Sequence, residues 1–347
     1  PTAKVSTNLA NDELCNGEIV NISLSTITVP YRGIEFNVDA QNNDPEISGY
    51  TDRTGLIVTD VITEPLTNTG DTARLVLYVI SPITLDVYGN QKCSGINDTV
   101  KVWVNPTPRV IALNDAAHIC SQGITNITLT SPTVMTSGVI EFNYKITATA
   151  PPAVVGGNRA SASGQLPGTQ LRFNYTNESD TMQSVFFRIV PKVVGLPCPY
   201  GDSVITEVKV HARPIQALEI RDSITCDGGQ NGTLEAIPAR GLDSLWVKWR
   251  GPDYWTTTGY NTFIVGERRT GYYTAIMTDS LSCIDSLSLN LIEPNTEVAF
   301  YWDKFVSCPG ENDARIGLTL TDGQAAPYKY YIVWNMTDTL YQGPSIP

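Results

Sequence analysis

The chain has 347 residues, a formal net charge of −12 and only 17% charged residues against 41% hydrophobic ones. That apolar share is enough for packed cores, and the acidic balance excludes the basic groove a nucleic-acid binder needs. No run of about 20 apolar residues could cross a bilayer as a helix, and no basic-then-apolar leader opens the sequence.

In chain order, apolar and polar residues alternate with period two, and no amphipathic helix of three turns is found. Cys15-Asn16-Gly17 opens a first unit. Ile34-Glu35-Phe36-Asn37 and Leu75–Val79 read as its inner strands, and Asp98–Val104 closes it ahead of Pro106 and Pro108. The plan then repeats. Cys120-Ser121-Gln122-Gly123 answers the opening, Ile140-Glu141-Phe142-Asn143 the first inner strand, Ser184–Val190 the second, and Asp202–Val210 the closing strand before Pro214. A shorter third unit runs from Ile215 through Cys226 and Cys283 to Pro294, and a fourth opens with Cys308-Pro309-Gly310. The predicted domains are therefore 1–108, 109–214, 215–294 and a partial 295–347. Short strands and frequent turn residues predict an all-β chain of tandem Ig-like antiparallel β-sandwiches. The short Pro-bearing linkers predict an elongated, semi-rigid rod.

The cysteines repeat as well. Cys15 and Cys93 are 78 residues apart, as are Cys120 and Cys198, the second pair displaced by 105. The copied spacing predicts one disulfide inside each domain, Cys15–Cys93, Cys120–Cys198 and Cys226–Cys283, with Cys308 unpaired because its partner is expected past the end of an excerpt. Disulfides place the chain outside the cell. The cysteines show no C-x-x-C and the two histidines, His118 and His211, are not spaced as ligands, so neither a metal nor any other cofactor is expected.

The third unit reads Cys226-Asp-Gly-Gly-Gln-Asn231-Gly232, then Trp246 and Trp249, then Gly271-Tyr272-Tyr273-Thr274 to Asp279 ahead of Cys283. It resembles the short repeat of SprB-type gliding-motility adhesins, and the fourth unit resembles the opening half of that repeat, with Asp313-Ala314 in place of its Asn-Gly. Leu66-Thr67-Asn68-Thr69 and the ending Asn105-Pro106-x-Pro108 resemble the PKD-like domains that accompany such repeats in large proteins exported by type IX secretion. The resemblance implies an outer-membrane-associated surface protein whose partners are other domains of the same chain, the motility or secretion machinery, and surface polysaccharide.

Asp-[Ser/Thr]-apolar occurs nine times, where composition predicts about one or two. It is similar to the O-glycosylation sequon of Bacteroidota, which implies acceptors at Thr72, Thr99, Thr181, Ser203, Ser223, Ser244, Ser280, Ser286 and Thr339. The alternative is that Asp-Ser and Asp-Thr simply open turns and strands.

Little points to catalysis. No nucleophile–base pair or marked carboxylate pair is legible, so no enzyme is expected. The acidic stretch Asn42–Glu46 and Asp52 lack calcium-loop spacing and read as a solvated turn. The aromatic cluster of Trp246, Trp249, Tyr254, Trp255, Tyr260 and Phe263 is the candidate ligand contact, with packing in the core as the alternative reading. Tyr254 and Trp255 are predicted on a loop, with Trp255 the most exposed, and Trp246 and Trp249 differ in strand parity. Sequence thus predicts a structural or adhesive surface segment. The alternatives are a carbohydrate-binding module in its own right, or spacer domains of a large secreted enzyme.

Overall fold

The computed structural model describes residues 5–28, 33–149, 153–156, 161–198, 200–225, 227–240, 244–294, 297–311, 313, 315–321, 330–334 and 338–343, with backbone only for 297–303 and from 315 onward. Every regular element among them is a β-strand. The chain forms two compact units, one of Pro1–Thr176 with Gln183–Val210 and one of Asn177–Met182 with His211–Pro347.

The first unit holds two sandwiches. In the first, Ser6–Leu9, Ile19–Ser25 and Val61–Pro65 make one sheet. The other runs Glu13–Leu14, Asp98–Val104, Arg74–Leu85, Ile34–Gln41 and Arg53–Leu56, with Gln91–Ser94 folded back on Arg74–Leu85. Alternation decides which side chains meet. Val20, Ile22 and Leu24 face Phe36, Val38, Val76, Tyr78, Ile80, Val100 and Val102 in one buried cluster, while the residues between them turn to solvent. Glu64 is buried among them. It accepts hydrogen bonds from the Tyr78 hydroxyl at 3.0 Å and the Thr51 hydroxyl at 2.5 Å, and pairs with Arg53 at 3.0 Å.

The second sandwich copies the first. Ile111–Asn114, Ile127–Thr130 and Gln170–Leu171 form one sheet; His118–Ile119, Val204–Val210, Gln183–Val194, Val139–Ala148 and Ala162–Gln165 form the other. Its core is centred on Ile127, Leu129, Phe142, Tyr175, Val185, Phe187 and Ile189. Both sandwiches share the registers that matter below. Phe36 pairs with Pro82 and Phe142 with Pro191. The amide of Gly95 donates to Pro82 and that of Gly201 to Pro191. Cys93 and Cys198 therefore occupy the same loop in successive sandwiches.

In the second unit, Ile215–Asp222, Gly232–Pro238 and Ile264–Arg268 face a four-stranded sheet of Thr256–Tyr260, Trp246–Arg250, Gly271–Thr278 and Ile284–Leu291. Trp249 is fully buried here and donates through Nε1 to the Thr262 carbonyl at 2.8 Å. Beyond it, Glu297–Lys304 pairs with Arg315–Thr321, and Tyr330–Trp334 with Asp338–Gly343.

The disulfide pattern differs from the sequence expectation. Cys15 is bonded to Cys198, 183 residues away, with Cα atoms 5.3 Å apart, and Cys93 is free. Strand direction explains it. Leu14, beside Cys15, pairs with Val104, which pairs with Arg74 at one end of the long central strand; Cys93 pairs with Thr84, ten residues up that strand. At about 3.3 Å per residue the two cysteines are roughly 33 Å apart, far beyond the ~7 Å that a disulfide spans. In the second sandwich, Ile119 beside Cys120 pairs with Val210 opposite Gln183, and Cys198 lies past Val194 at the far end of the same strand. Neither Cys15–Cys93 nor Cys120–Cys198 can close inside its sandwich. Cys120 and Cys283 are both disulfide-bonded, Cys226 lies outside the described residues, and Cys308 is free and exposed.

Candidate functional site

The junction of the first two sandwiches is built around Cys15. A turn held by the Glu18 amide donating to the Cys15 carbonyl at 3.1 Å, with Gly17 at φ 81°, presents this buried disulfide sulfur at the C-terminal end of the first sandwich. The left-handed φ suits glycine there. Glu18 accepts in return from the Cys15 amide at 2.8 Å, and Asn16 donates to the Thr107 hydroxyl in the linker at 2.8 Å.

The chain then crosses to the second sandwich, and a polar lattice ties the two together. Buried Asn105 accepts from the Thr136 amide at 2.9 Å and donates to Glu13 at 2.9 Å. Glu13 also accepts from the Ser137 hydroxyl at 2.9 and 2.8 Å and from the Thr136 hydroxyl. Thr72 forms a β-bridge with Val134, flanked by the Ala73 amide to Val134 at 2.9 Å and the Val134 amide to Asp71 at 2.8 Å. Arg109 pairs with Asp71 at 2.8 Å. Gly201, three residues past Cys198, packs so closely on the linker that a Cβ there would overlap the Pro108 carbonyl oxygen. Sequence reasoning missed Glu13 and Asn105 as junction residues, although Asn105 stands in the noted Asn-Pro-x-Pro ending.

A second feature is the hairpin tip of the third sandwich. Pro252 to Trp255 close a tight turn, with the Trp255 amide donating to the Pro252 carbonyl at 3.0 Å and with Asp253 at φ 51° and Tyr254 at φ 61°. Two successive left-handed residues make the type I′ geometry that matches strand twist; here it is built without glycine and carries Tyr254 fully into solvent. Trp255 is not the exposed ring. It is half-buried against the core, under the Arg268 guanidinium at 4.1 Å and edge-on to Tyr273 at 6.0 Å. Trp246 lies on the outer face, as its parity with buried Trp249 requires, and meets Tyr260 edge-on at 4.7 Å, with both rings exposed. Both rings belong to the aromatic cluster named from the sequence, though their cross-strand pairing was not read there.

The sequon hydroxyls fall into three groups. Thr99, Thr181, Ser223, Ser244, Ser280 and Ser286 are exposed, and Ser203 is half-buried beside Arg188. Thr72 is different. Its hydroxyl is buried in the Val134 bridge, which leaves no room for a glycan in the folded junction. The Thr339 side chain and Asp243 lie outside the described residues. Several of the aspartates have structural work: Asp98 accepts from the Thr99 amide, Asp279 from those of Leu281 and Cys283, and Asp285 pairs with Arg213 at 2.5 Å. The acidic turn is likewise satisfied internally, with Asp44 on Arg74 at 2.7 Å and Asp52 on the Ala40 amide at 2.8 Å.

Residues 12–108 match the PKD-like domain family. No curated protein matches the chain significantly. Among solved structures, the FN1–FN3 domains of chicken CNTN1 are similar over 84% of this chain and 99% of that one, at 7% identity and a TM-score of 0.30. FdeC, an Escherichia coli adhesin, is similar over 84% of this chain and 98% of that one, at 14% identity and a TM-score of 0.30.

Proposed function

We propose that this chain is a load-bearing stalk segment of a large secreted cell-surface adhesin. The observation that carries it is the Cys15–Cys198 bond, a covalent link from one sandwich to the next where a purely folding role would place each disulfide within its own domain. The PKD-like match over residues 12–108 supports a surface-protein context. The SprB-type pattern from Cys226 to Cys283 supports the finer assignment to a gliding-motility adhesin exported by type IX secretion, and the exposed sequon hydroxyls support O-glycosylation at six sites, Thr72 excluded. The segment has a mechanical part and no catalytic one.

The test is made on cells. Strains carrying C15S together with C198S should export and display the protein but detach under shear that the parent strain withstands. Unchanged attachment with normal display overturns the load-bearing role. Intact mass of the native protein before and after reduction reads the glycans as a ladder of additions, and a bare polypeptide mass overturns glycosylation.

A second reading has its own observation. The exposed Trp246–Tyr260 pair beside the Tyr254 tip offers ring faces of the kind that stack on sugars. A glycan array with wild type, W246A and Y254A separates the two: a stalk binds no glycan, whereas a carbohydrate-binding module binds one and loses it in the variants.

A further inference from the structure

The first sandwich carries, unused, the loop through which the second is bonded to its neighbour. Cys198 occupies the loop after the long central strand, and its bond reaches back to the sandwich on its N-terminal side. Cys93 holds the same place in the first sandwich. Its loop is anchored by the same amide-to-proline bond, Gly95 to Pro82 at 2.7 Å against Gly201 to Pro191 at 3.0 Å. Yet Cys93 is free and exposed.

The face around it is apolar and open. Val87 and Tyr88 stand on the hairpin that leads into Cys93, and Ile96 follows its strand. Ile57 comes just after Leu56, which pairs with Phe36 at the level of Pro82. Ile27 extends past Ser25, at the opposite end of its strand from Ile19 near the Cys15 turn. All five are at least half exposed, Tyr88 at 85%. Apolar side chains gathered on one end of a domain mark a surface that something covers. On the second sandwich the corresponding loop is packed on the linker, with Gly201 against Pro108, and bonded to the neighbouring sandwich through Cys198.

We propose that this end face of the first sandwich docks a further β-sandwich of the same class, joined to it on its N-terminal side in the parent polypeptide, and that Cys93 bonds a cysteine standing there in the position of Cys15. The order is the one the chain already shows, with the first cysteine of one sandwich bonded to the second cysteine of the next. The thiols of Cys93 and its partner lose two electrons and two protons to the disulfide of a thiol oxidant of the export compartment, which leaves as the dithiol.

The experiment uses the full-length protein from its native host. Free thiols are blocked with N-ethylmaleimide before lysis, and the protein is digested without reduction and mapped by mass spectrometry. The expected result is the Cys93 peptide joined to a peptide from another domain of the same polypeptide, whose cysteine aligns with Cys15, and no blocked Cys93. Cys93 found blocked as a thiol, joined to a second Cys93, capped by a small thiol, or joined to a separate protein overturns the proposal. Recovery of the Cys15–Cys198 peptide in the same digest tests the stalk junction separately. A second arm replaces Tyr88 and Ile96 by Asp, leaving Cys93 in place. The Cys93 cross-link should fall severalfold while Cys15–Cys198 is retained, and an unchanged yield would remove the apolar face from the docking surface.

Discussion

The buried carboxylate of Glu64 gathers three side chains inside the first sandwich. It holds the fully buried Tyr78 hydroxyl together with Thr51 and Arg53, which reach solvent, so truncating it leaves the Tyr78 hydroxyl unmatched in the core. E64A should lower stability by about 1–3 kcal/mol, read as the urea midpoint of the first sandwich. Tyr78 adds a pH dependence. Burial first, then the Glu64 charge, raises its phenol well above the ordinary tyrosine value. The unfolded chain then releases this proton near pH 10 while the folded one keeps it. The contribution is fully present below that pH and is lost above it, at up to about 1.4 kcal/mol per pH unit. Between pH 9 and about 11, wild type should lose stability faster than Y78F; parallel slopes would show that the phenol does not set the alkaline limit. Glu64 was not legible from sequence, because an alternating strand that includes Val61-Ile62-Thr63-Glu64 gives no sign that a sheet partner will enclose its acid.

At the scale of elements, period-two alternation was readable wherever a strand has one wet face. It marked Leu75–Val79 and Ser184–Val190 as strands and separated Trp246 from Trp249. The cysteine spacing misled for a geometric reason. A disulfide inside each repeat and a disulfide from each repeat to the next produce the same interval between like cysteines, and only strand direction, which places Cys15 and Cys93 at opposite ends of Arg74–Leu85, distinguishes them. The aromatic tip was legible as a loop but not in its detail. A left-handed Asp-Tyr turn puts Tyr254 outside and lets Trp255 fold back under Arg268, a choice that composition does not reveal. The junction itself can be tested by its hydrogen bonds. Breaking the staple with C15S and C198S removes a closure worth at most on the order of 5 kcal/mol in the chain-entropy account. Exchange of the Ala73 and Val134 amides, which cross between the sandwiches, should then accelerate by roughly one to three orders of magnitude. G201V, which forces the loop off Pro108, should leave the bond formed but make it reducible at lower reductant concentration than in wild type. Unchanged exchange and unchanged reducibility would mean that the polar lattice alone fixes the junction.

For the whole molecule, the decisive property of the Cys15–Cys198 bond is where it sends a load. Tension applied along the chain from its N-terminal side reaches Cys15, passes through the disulfide and leaves at Cys198. Nearly all of both sandwiches lies within the bridged loop and carries none of it. The strands outside the bridge, Ser6–Leu9, Glu13–Leu14 and Val204–Val210, are the ones pulled directly, so the rest of each sandwich can have ordinary marginal stability without lengthening a chain held at its two ends. The consequence is measurable by pulling single chains held at both ends. Oxidised protein should release none of the length stored between Cys15 and Cys198, whatever happens to the sandwiches. Reduction should add up to the extended length of that 183-residue separation, about 650 Å at 3.6 Å per residue. Equal contour lengths with and without reductant would mean that the load runs through the folded cores, and the covalent junction would then serve stability alone.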